Sequence, residues 1–123
     1  MATPFTRMLQ TLTRQRGVTG ALVVSERDGI VIDSNVQIGQ PADRVAALAA
    51  KLFRKSRLSA HAAGLGAVSF MQLEAPNGRI CAAGAGEQVV VVVAETGINV
   101  GLVRVELLRA AAEIVALDRR GFR

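Results

Sequence analysis

The chain has 123 residues, half of them apolar, and a formal net charge of +5. This length and a mean hydropathy of +0.34 predict one domain with a substantial core and exclude general disorder. The longest apolar run, residues 89–94, is too short to cross a bilayer, so we expect no membrane insertion. Because the N-terminus lacks the layout of a signal peptide and one cysteine cannot build a disulfide framework, we expect a cytoplasmic protein.

The first half of the chain predicts two helices separated by a hairpin. Thr3-Pro4, a hydroxyl cap before a proline, predicts a helix start. Residues 18–25 read as a buried strand, and Asp28-Gly29 closes a turn into a second strand, Ile30–Ser34. The second helix begins at Gly39-Gln40-Pro41 and ends within residues 59–64.

The second half predicts three strands and a closing helix. The strands are residues 67–74, 79–84 and 89–95, and the valines of the last predict a central position. Asn77-Gly78 marks a hairpin, and Asn99 is a good cap for the last helix. Its predicted core stripe is Leu102, Val105, Leu108, Ala112 and Val115, extended by Val103, Leu107, Ala110 and Ile114. We expect a domain over residues 1–117 and a basic tail over 118–123.

The second helix has two apolar sides. We expect its core stripe to be Val45, Leu48, Ala49, Leu52 and Phe53. Ala46, Ala47 and Ala50 lie on another face, where a solvated helix more often carries charged residues. A row of alanines permits the close approach of a second helix, although alanine is also an ordinary helix former.

The positive charge is concentrated in the same helix. Residues 1–66 contain nine basic and four acidic residues, whereas residues 67–123 contain six of each. The excess is densest at Lys51, Arg54, Lys55 and Arg57. These side chains read either as a solvated helix face or as a surface for an acidic partner. Nucleic acid is disfavoured because no stacking aromatics or recognisable module accompany them.

No constellation for catalysis, for a cofactor or for a metal is found. His61 and Cys81 are too few for a zinc site, so Cys81 reads as a core residue and His61 as a residue near the end of the second helix. No phosphate-binding loop is present; the short Gly-x-Gly segments at 64–66 and 84–86 read as turns. Glu26, Asp28 and Asp33 read as solvated residues of the first hairpin.

Taken in order, these features resemble the Roadblock/dynein-light-chain family, and within it the bacterial MglB-like regulators of Ras-like GTPases. The resemblance covers about residues 5–117. It is carried by the segments Gly17-Val18-Thr19-Gly20-Ala21-Leu22-Val23-Val24, Asp28-Gly29, the Ala/Leu-rich second helix, Gly84-Ala85-Gly86 and Asn99-Val100-Gly101-Leu102.

The resemblance implies a profilin/Roadblock-like α+β sandwich of order α-β-β-α-β-β-β-α, with a five-stranded antiparallel sheet between helices. It also implies a homodimer in which the second strands pair and the second helices lie side by side. The interface would use Ile30, Ile32, Ser34, Ala46, Ala47 and Ala50. An unprotected edge strand at Ile30–Ser34 agrees with this.

The functional expectation is a non-enzymatic scaffold that binds a Ras-like GTPase and modulates its GTP hydrolysis, with Lys51, Arg54, Lys55 and Arg57 as the partner-binding residues. Two alternatives stay open. One is a small-molecule sensor module of the PAS or GAF kind, against which the short chain and few aromatic residues argue. The other is a constitutive adaptor in a kinase or motor complex.

Overall fold

The computed structural model describes residues 3–121, which form three helices and five strands in the predicted order. The α+β architecture expected from the sequence is confirmed. The elements are α1 (Thr6–Thr13), β1 (Val18–Ser25), β2 (Val31–Val36), α2 (Ala42–Ala62), β3 (Phe70–Ala75), β4 (Gly78–Ala85), β5 (Gln88–Ala94) and α3 (Val100–Arg119).

Most element boundaries lie within a few residues of the predicted ones. Helix α1 begins at Thr6, after a turn in which the Thr3 hydroxyl oxygen accepts the Phe5 N–H. The Asn99 cap is confirmed, since its Oδ1 accepts the Leu102 N–H at 3.1 Å. Helix α3 continues to Arg119, two residues into the predicted tail, of which residues 122 and 123 lie outside the described part of the chain.

The five strands form one antiparallel sheet in the order β2-β1-β5-β4-β3. The valine-rich strand β5 is central, as predicted, because a strand covered on both faces needs apolar residues at consecutive positions. Strands β2 and β3 are the two edges, and each leaves one row of backbone hydrogen-bonding groups without a neighbouring strand.

Helices cover both faces of the sheet and create two cores. On one face, α2 packs over Leu22, Val24 and alternate valines of β5. On the other, α1 and α3 pack over Ala21, Val23 and the intervening valines. Successive strand residues point to opposite faces, so each strand contributes to both cores.

The rotation of α3 about its axis differs from the predicted one. Its buried residues are Val103, Leu107, Ala110, Ala111 and Ile114, most of which were predicted only as an extension of the stripe. Leu102 is 60% exposed, and Val105 and Ala112 are also exposed, so the predicted core role of these three is wrong. A helix with apolar residues on nearly every side does not reveal from sequence which side is covered.

A β-bulge interrupts the pairing of β2 with β1. Val24 pairs with Val31, but the preceding residue Val23 pairs with Asp33, which leaves Ile32 as the extra residue. The pairing is regular from Asp33 to Val36. An alternating sequence pattern does not predict a bulge, which depends on how the turn and the edge strand meet.

One buried polar side chain gives a stability prediction. Gln88 at the start of β5 is buried, and neither of its amide atoms has a hydrogen-bond partner within residues 3–121. Because a buried unpaired polar group costs about 1–3 kcal/mol, Gln88→Met is expected to raise the free energy of unfolding by about 1 kcal/mol. Urea denaturation followed by circular dichroism measures this. Exposed Gln10→Met is the control, and an equal or destabilising effect of Gln88→Met would contradict the prediction.

Candidate protein-interaction surface

Helix α2 lies close to the sheet through small residues. Ala46, Ala49, Ala50 and Phe53 are its buried residues, and Ala46 and Ala50 are 0% and 2% exposed. The prediction that Ala46 and Ala50 face a second helix is therefore wrong: both pack on the protomer's own sheet. The predicted core residue Leu48 is instead half-exposed, and Ala47 is exposed as expected.

The outward side of α2 carries three of the four predicted basic residues. Lys51, Arg54 and Lys55 are exposed, and none of them makes a hydrogen bond or ion pair with any residue between 3 and 121. Leu48 and Leu58, both half-exposed, lie on the same side of the helix, three residues before Lys51 and three residues after Lys55. We call Lys51, Arg54 and Lys55 the basic patch. It presents three unpaired cations beside two exposed leucines.

Arg57 differs from the other three because its guanidinium is already engaged. Its Nη2 and Nε donate to Glu26 Oε1 at 2.7 and 3.1 Å, and the Glu26 side chain is only 12% exposed. This hydrogen bond, together with the charge of Glu26, raises the pKa of Arg57. The contact joins α2 to a turn 31 residues earlier in the chain. Arg57 therefore positions the first hairpin rather than presenting a free cation.

The turn between β1 and β2 is held against α2 at a second point. Gly29 has φ +70°, and a Cβ built on it would lie 3.0 Å from the Ala47 Cα. The Asp28 side chain accepts the Ile30 N–H within the turn. Between the turn and α2 lies a cleft of about 610 Å³, on whose wall Arg27 joins Arg54. Arg27 was not assigned to this surface from the sequence, because the sequence around an arginine in a turn does not indicate which residues it will lie beside.

Strand β2 lies at the edge of the sheet, and no other strand of residues 3–121 pairs with its free side, as expected for the predicted edge strand. Ile30 is 61% exposed, and Ile32 and Ser34 are also exposed. Side chains of α1 and of the turn before it bind the strand: the Thr3 hydroxyl donates to Asp33, and Asn35 Nδ2 donates to the Thr13 hydroxyl at 3.0 Å. Asp33 is thus a hydrogen-bond acceptor for the turn that precedes α1.

The residues considered for metal or thiol chemistry are separated by the sheet. Cys81 lies buried in the core beneath α1 and α3, and its burial raises the pKa of the thiol, an effect the Arg79 charge opposes. His61 lies exposed in the last turn of α2, on the other face. Within residues 3–121, no three side chains of His, Cys, Asp or Glu come together as a metal site would require. No helix in this range is long and apolar enough to span a membrane.

Comparison with known proteins identifies the family of this chain. The model of the Roadblock/LC7 domain matches residues 5–95. The chain belongs to the Roadblock/LC7 family. An uncharacterized protein of Methanocaldococcus jannaschii, MJ1340, is 32% identical over 111 residues, which are 90% of this chain and 96% of that protein.

Two solved structures share the fold of this Roadblock/LC7 chain. The gliding protein MglB of Thermus thermophilus superposes with a TM-score of 0.82 at 19% identity, over 98% of this chain and 94% of MglB. A Roadblock/LC7 domain from Streptomyces avermitilis gives a TM-score of 0.79 at 20% identity, over 95% and 97% of the two chains. At these identities the similarity shows the fold alone.

Proposed function

We propose that this protein is a cytoplasmic, homodimeric, non-enzymatic scaffold that binds a Ras-like small GTPase and modulates its GTP hydrolysis. The observation that carries the proposal is the basic patch, whose three cations are exposed and unpaired on one side of α2. Membership in the Roadblock/LC7 family and the fold shared with MglB support a regulatory role for that surface.

The geometry of α2 favours a protein partner over a small molecule. The patch lies on the exposed side of a helix, and the leucines beside it add apolar area that a protein surface can cover. Cations that steer an acidic partner raise its association rate, and those that become buried in the interface add affinity. The cleft near Arg54 is lined by polar and charged side chains, whereas small-molecule pockets are mostly apolar.

Arg54 is the arginine most suited to act on a bound GTPase. A GTPase is stimulated either when its switch loops are ordered or when an arginine stabilises the charge of the transition state. Arg57 is committed to Glu26, whereas Arg54 is exposed and makes no ion pair with a described residue. Removing Arg54 is therefore the informative single substitution for turnover, and Arg57→Ala tests the positioning of the turn.

A charge-reversal experiment tests the proposal. The Ras-like GTPases encoded by the source organism are loaded with GTPγS or GDP and titrated against the wild-type chain. Reversing Lys51, Arg54 and Lys55 to glutamate is expected to weaken binding about tenfold or more, because the steering and interface cations become repulsive. The matched control reverses exposed Arg7, Arg14 and Arg16, which alters the net charge equally away from α2.

Three results would count against the proposal. Absence of binding by every GTPase in both nucleotide states would overturn it. Equal weakening by the control would show that net charge, and not the patch, determines binding. Nucleotide-independent capture of a kinase or motor subunit, without a GTPase, would favour the constitutive adaptor instead.

A further inference from the structure

The outward side of helix α3 carries an apolar stripe that no described part of the chain covers. We call it the outward stripe; it consists of Leu102, Val105, Leu108, Ala112 and Val115, at spacings of three and four residues. Leu102 is 60% exposed, Val105 is 48% exposed, and Ala112 is also exposed. Leu108 and Val115 are partly buried against the core. A solvated helix face more often carries charged residues, so this side of α3 is suited to a partner.

Each end of the outward stripe adjoins a recess that contains an unpaired arginine. Beside Leu102 lies a recess of about 270 Å³, whose wall includes Arg16 from the turn after α1. Beside the C-terminal half of α3 lies a groove of about 370 Å³, in which Arg119 is the one charged residue among the described residues of its wall. Both arginines are exposed, and neither makes a hydrogen bond or ion pair with any residue between 3 and 121. The outward stripe therefore has a free cation at each end.

The acidic residues of α3 point to either side of the outward stripe. Glu106 and Glu113 line the groove toward α1, and Asp118 lies near Gly86 in the turn between β4 and β5. Arg109 adjoins the stripe, but its Nη1 donates to Glu106 Oε1 at 2.7 Å, so its charge is engaged within α3. A partner that complements this surface is therefore apolar along its middle and carries carboxylates near both ends.

A helix is the form of chain that can cover the outward stripe. The backbone groups of α3 are paired within the helix, so they offer no hydrogen bonds to a chain laid across it. An extended segment would leave its own buried N–H and C=O groups unpaired there, whereas a helix pairs them internally. From Leu102 to Arg119 the surface extends about 25 Å along α3, which matches a partner helix of about 18 residues.

A second copy of α3 is a poor occupant of this surface. If two copies packed antiparallel, Arg119 of one would come near Arg16 of the other. If they packed parallel, each arginine would face its own counterpart. Both arrangements bring like charges together at the two ends of the contact, which is unfavourable. The charges thus favour a different, acidic protein.

We propose that α3 docks an amphipathic helix of another protein, whose apolar side covers the outward stripe and whose acidic residues, one near each end, pair with Arg16 and Arg119. The site lies on the opposite face of the sheet from α2, because α1 and α3 cover one face and α2 covers the other. The proposed GTPase surface on α2 is therefore separate, and both partners can bind at once.

A pair of designed peptides tests the charge requirement. The probe is a fluorescent helical peptide of about 18 residues, with leucines at spacings of three and four and a glutamate in its first and last turns. The matched control peptide carries lysine in place of both glutamates. Fluorescence anisotropy with the full chain is expected to show about tenfold tighter binding of the glutamate peptide. The double variant Arg16→Glu/Arg119→Glu is expected to reverse this preference.

Single substitutions locate the bound peptide. Val105→Glu is expected to weaken binding of the glutamate peptide about tenfold, because it places a carboxylate in the outward stripe. Leu73→Glu is the matched control, since Leu73 is 45% exposed and lies opposite Ile80, which packs on the α2 side of the sheet. This variant is expected to bind as the wild type does. Circular dichroism verifies that each variant is folded.

Four results would overturn the proposal. Absence of saturable binding of the glutamate peptide would remove the site. Equal affinity for the two peptides, or no reversal in the double arginine variant, would show that the arginines do not select the partner. Equal weakening by Val105→Glu and Leu73→Glu would place the peptide elsewhere. Self-association that Val105→Glu abolishes would show that a second copy covers α3. The charge-reversal test of α2 is decided separately from all four.

Discussion

Phe53→Ala is expected to lower the free energy of unfolding by about 3–5 kcal/mol, the usual cost of removing a buried aromatic ring. Phe53 is fully buried between α2 and the sheet. Its ring lies on Gly84, where a Cβ would come within 2.8 Å of the Phe53 Cζ. The other buried residues of α2 are alanines, so Phe53 is the largest buried side chain that fixes the helix to the sheet. Its loss would loosen the element that carries the basic patch.

Urea denaturation followed by circular dichroism at a fixed protein concentration measures this loss. The concentration is held constant because self-association adds to apparent stability. Leu58→Ala, on the same helix but half-exposed, is the control and is expected to cost less than about 1 kcal/mol. Similar losses for the two variants would mean that Phe53 does not anchor α2.

The fold could be predicted where the type and position of the residues are compatible with only one local structure. Five consecutive valines suit a strand covered on both faces, and β5 is central. Asn99 before an apolar helix predicts a cap that the structure contains. Asn77-Gly78 correctly marked a hairpin, although Pro76 and Asn77 occupy the centre of the turn. Proline fixes a negative φ, which excludes the mirror-image turn that Asn-Gly favours.

The orientation of the helices could not be predicted from the same pattern. Alanine suits both a core and a helix contact, so Ala46 and Ala50 were assigned to the wrong face of α2. Leu102 was placed in the core because α3 is apolar on several sides. In both helices the sheet decides which side is covered, and the shape of the sheet depends on distant residues.

The candidate surface, too, could be predicted from the sequence only in part. The exposure of Lys51, Arg54 and Lys55 could be predicted because three unpaired charges on one helix side are costly to bury. The engagement of Arg57 could not, because Glu26 meets it only after β1 and α2 have packed.

Proline at position 34 is expected to turn the proposed dimer into a monomer while the protomer stays folded. The Gln37 N–H donates to the Thr19 carbonyl, and this direction alternates along a strand, so the Ser34 N–H faces the open edge of β2. There it donates to Asp33 Oδ1 at 2.8 Å, so its removal takes this local hydrogen bond but none from the ladder with β1. Proline is tolerated on edge strands for this reason, and there it blocks the pairing of a further strand. The dimer dissociation constant is expected to rise about a hundredfold or more, because backbone pairing between the two β2 edges is lost.

Two matched variants make this result specific. Ser34→Thr keeps the N–H and is expected to dimerise as the wild type does. Asn35→Pro removes an N–H that faces β1, so it is expected to lower the free energy of unfolding because a ladder bond is lost. Analytical ultracentrifugation measures the dimer, and urea denaturation measures the protomer. If Ser34→Pro stays dimeric while folded, a surface other than β2 holds the copies together. If it unfolds as Asn35→Pro does, the assigned backbone direction at Ser34 is wrong.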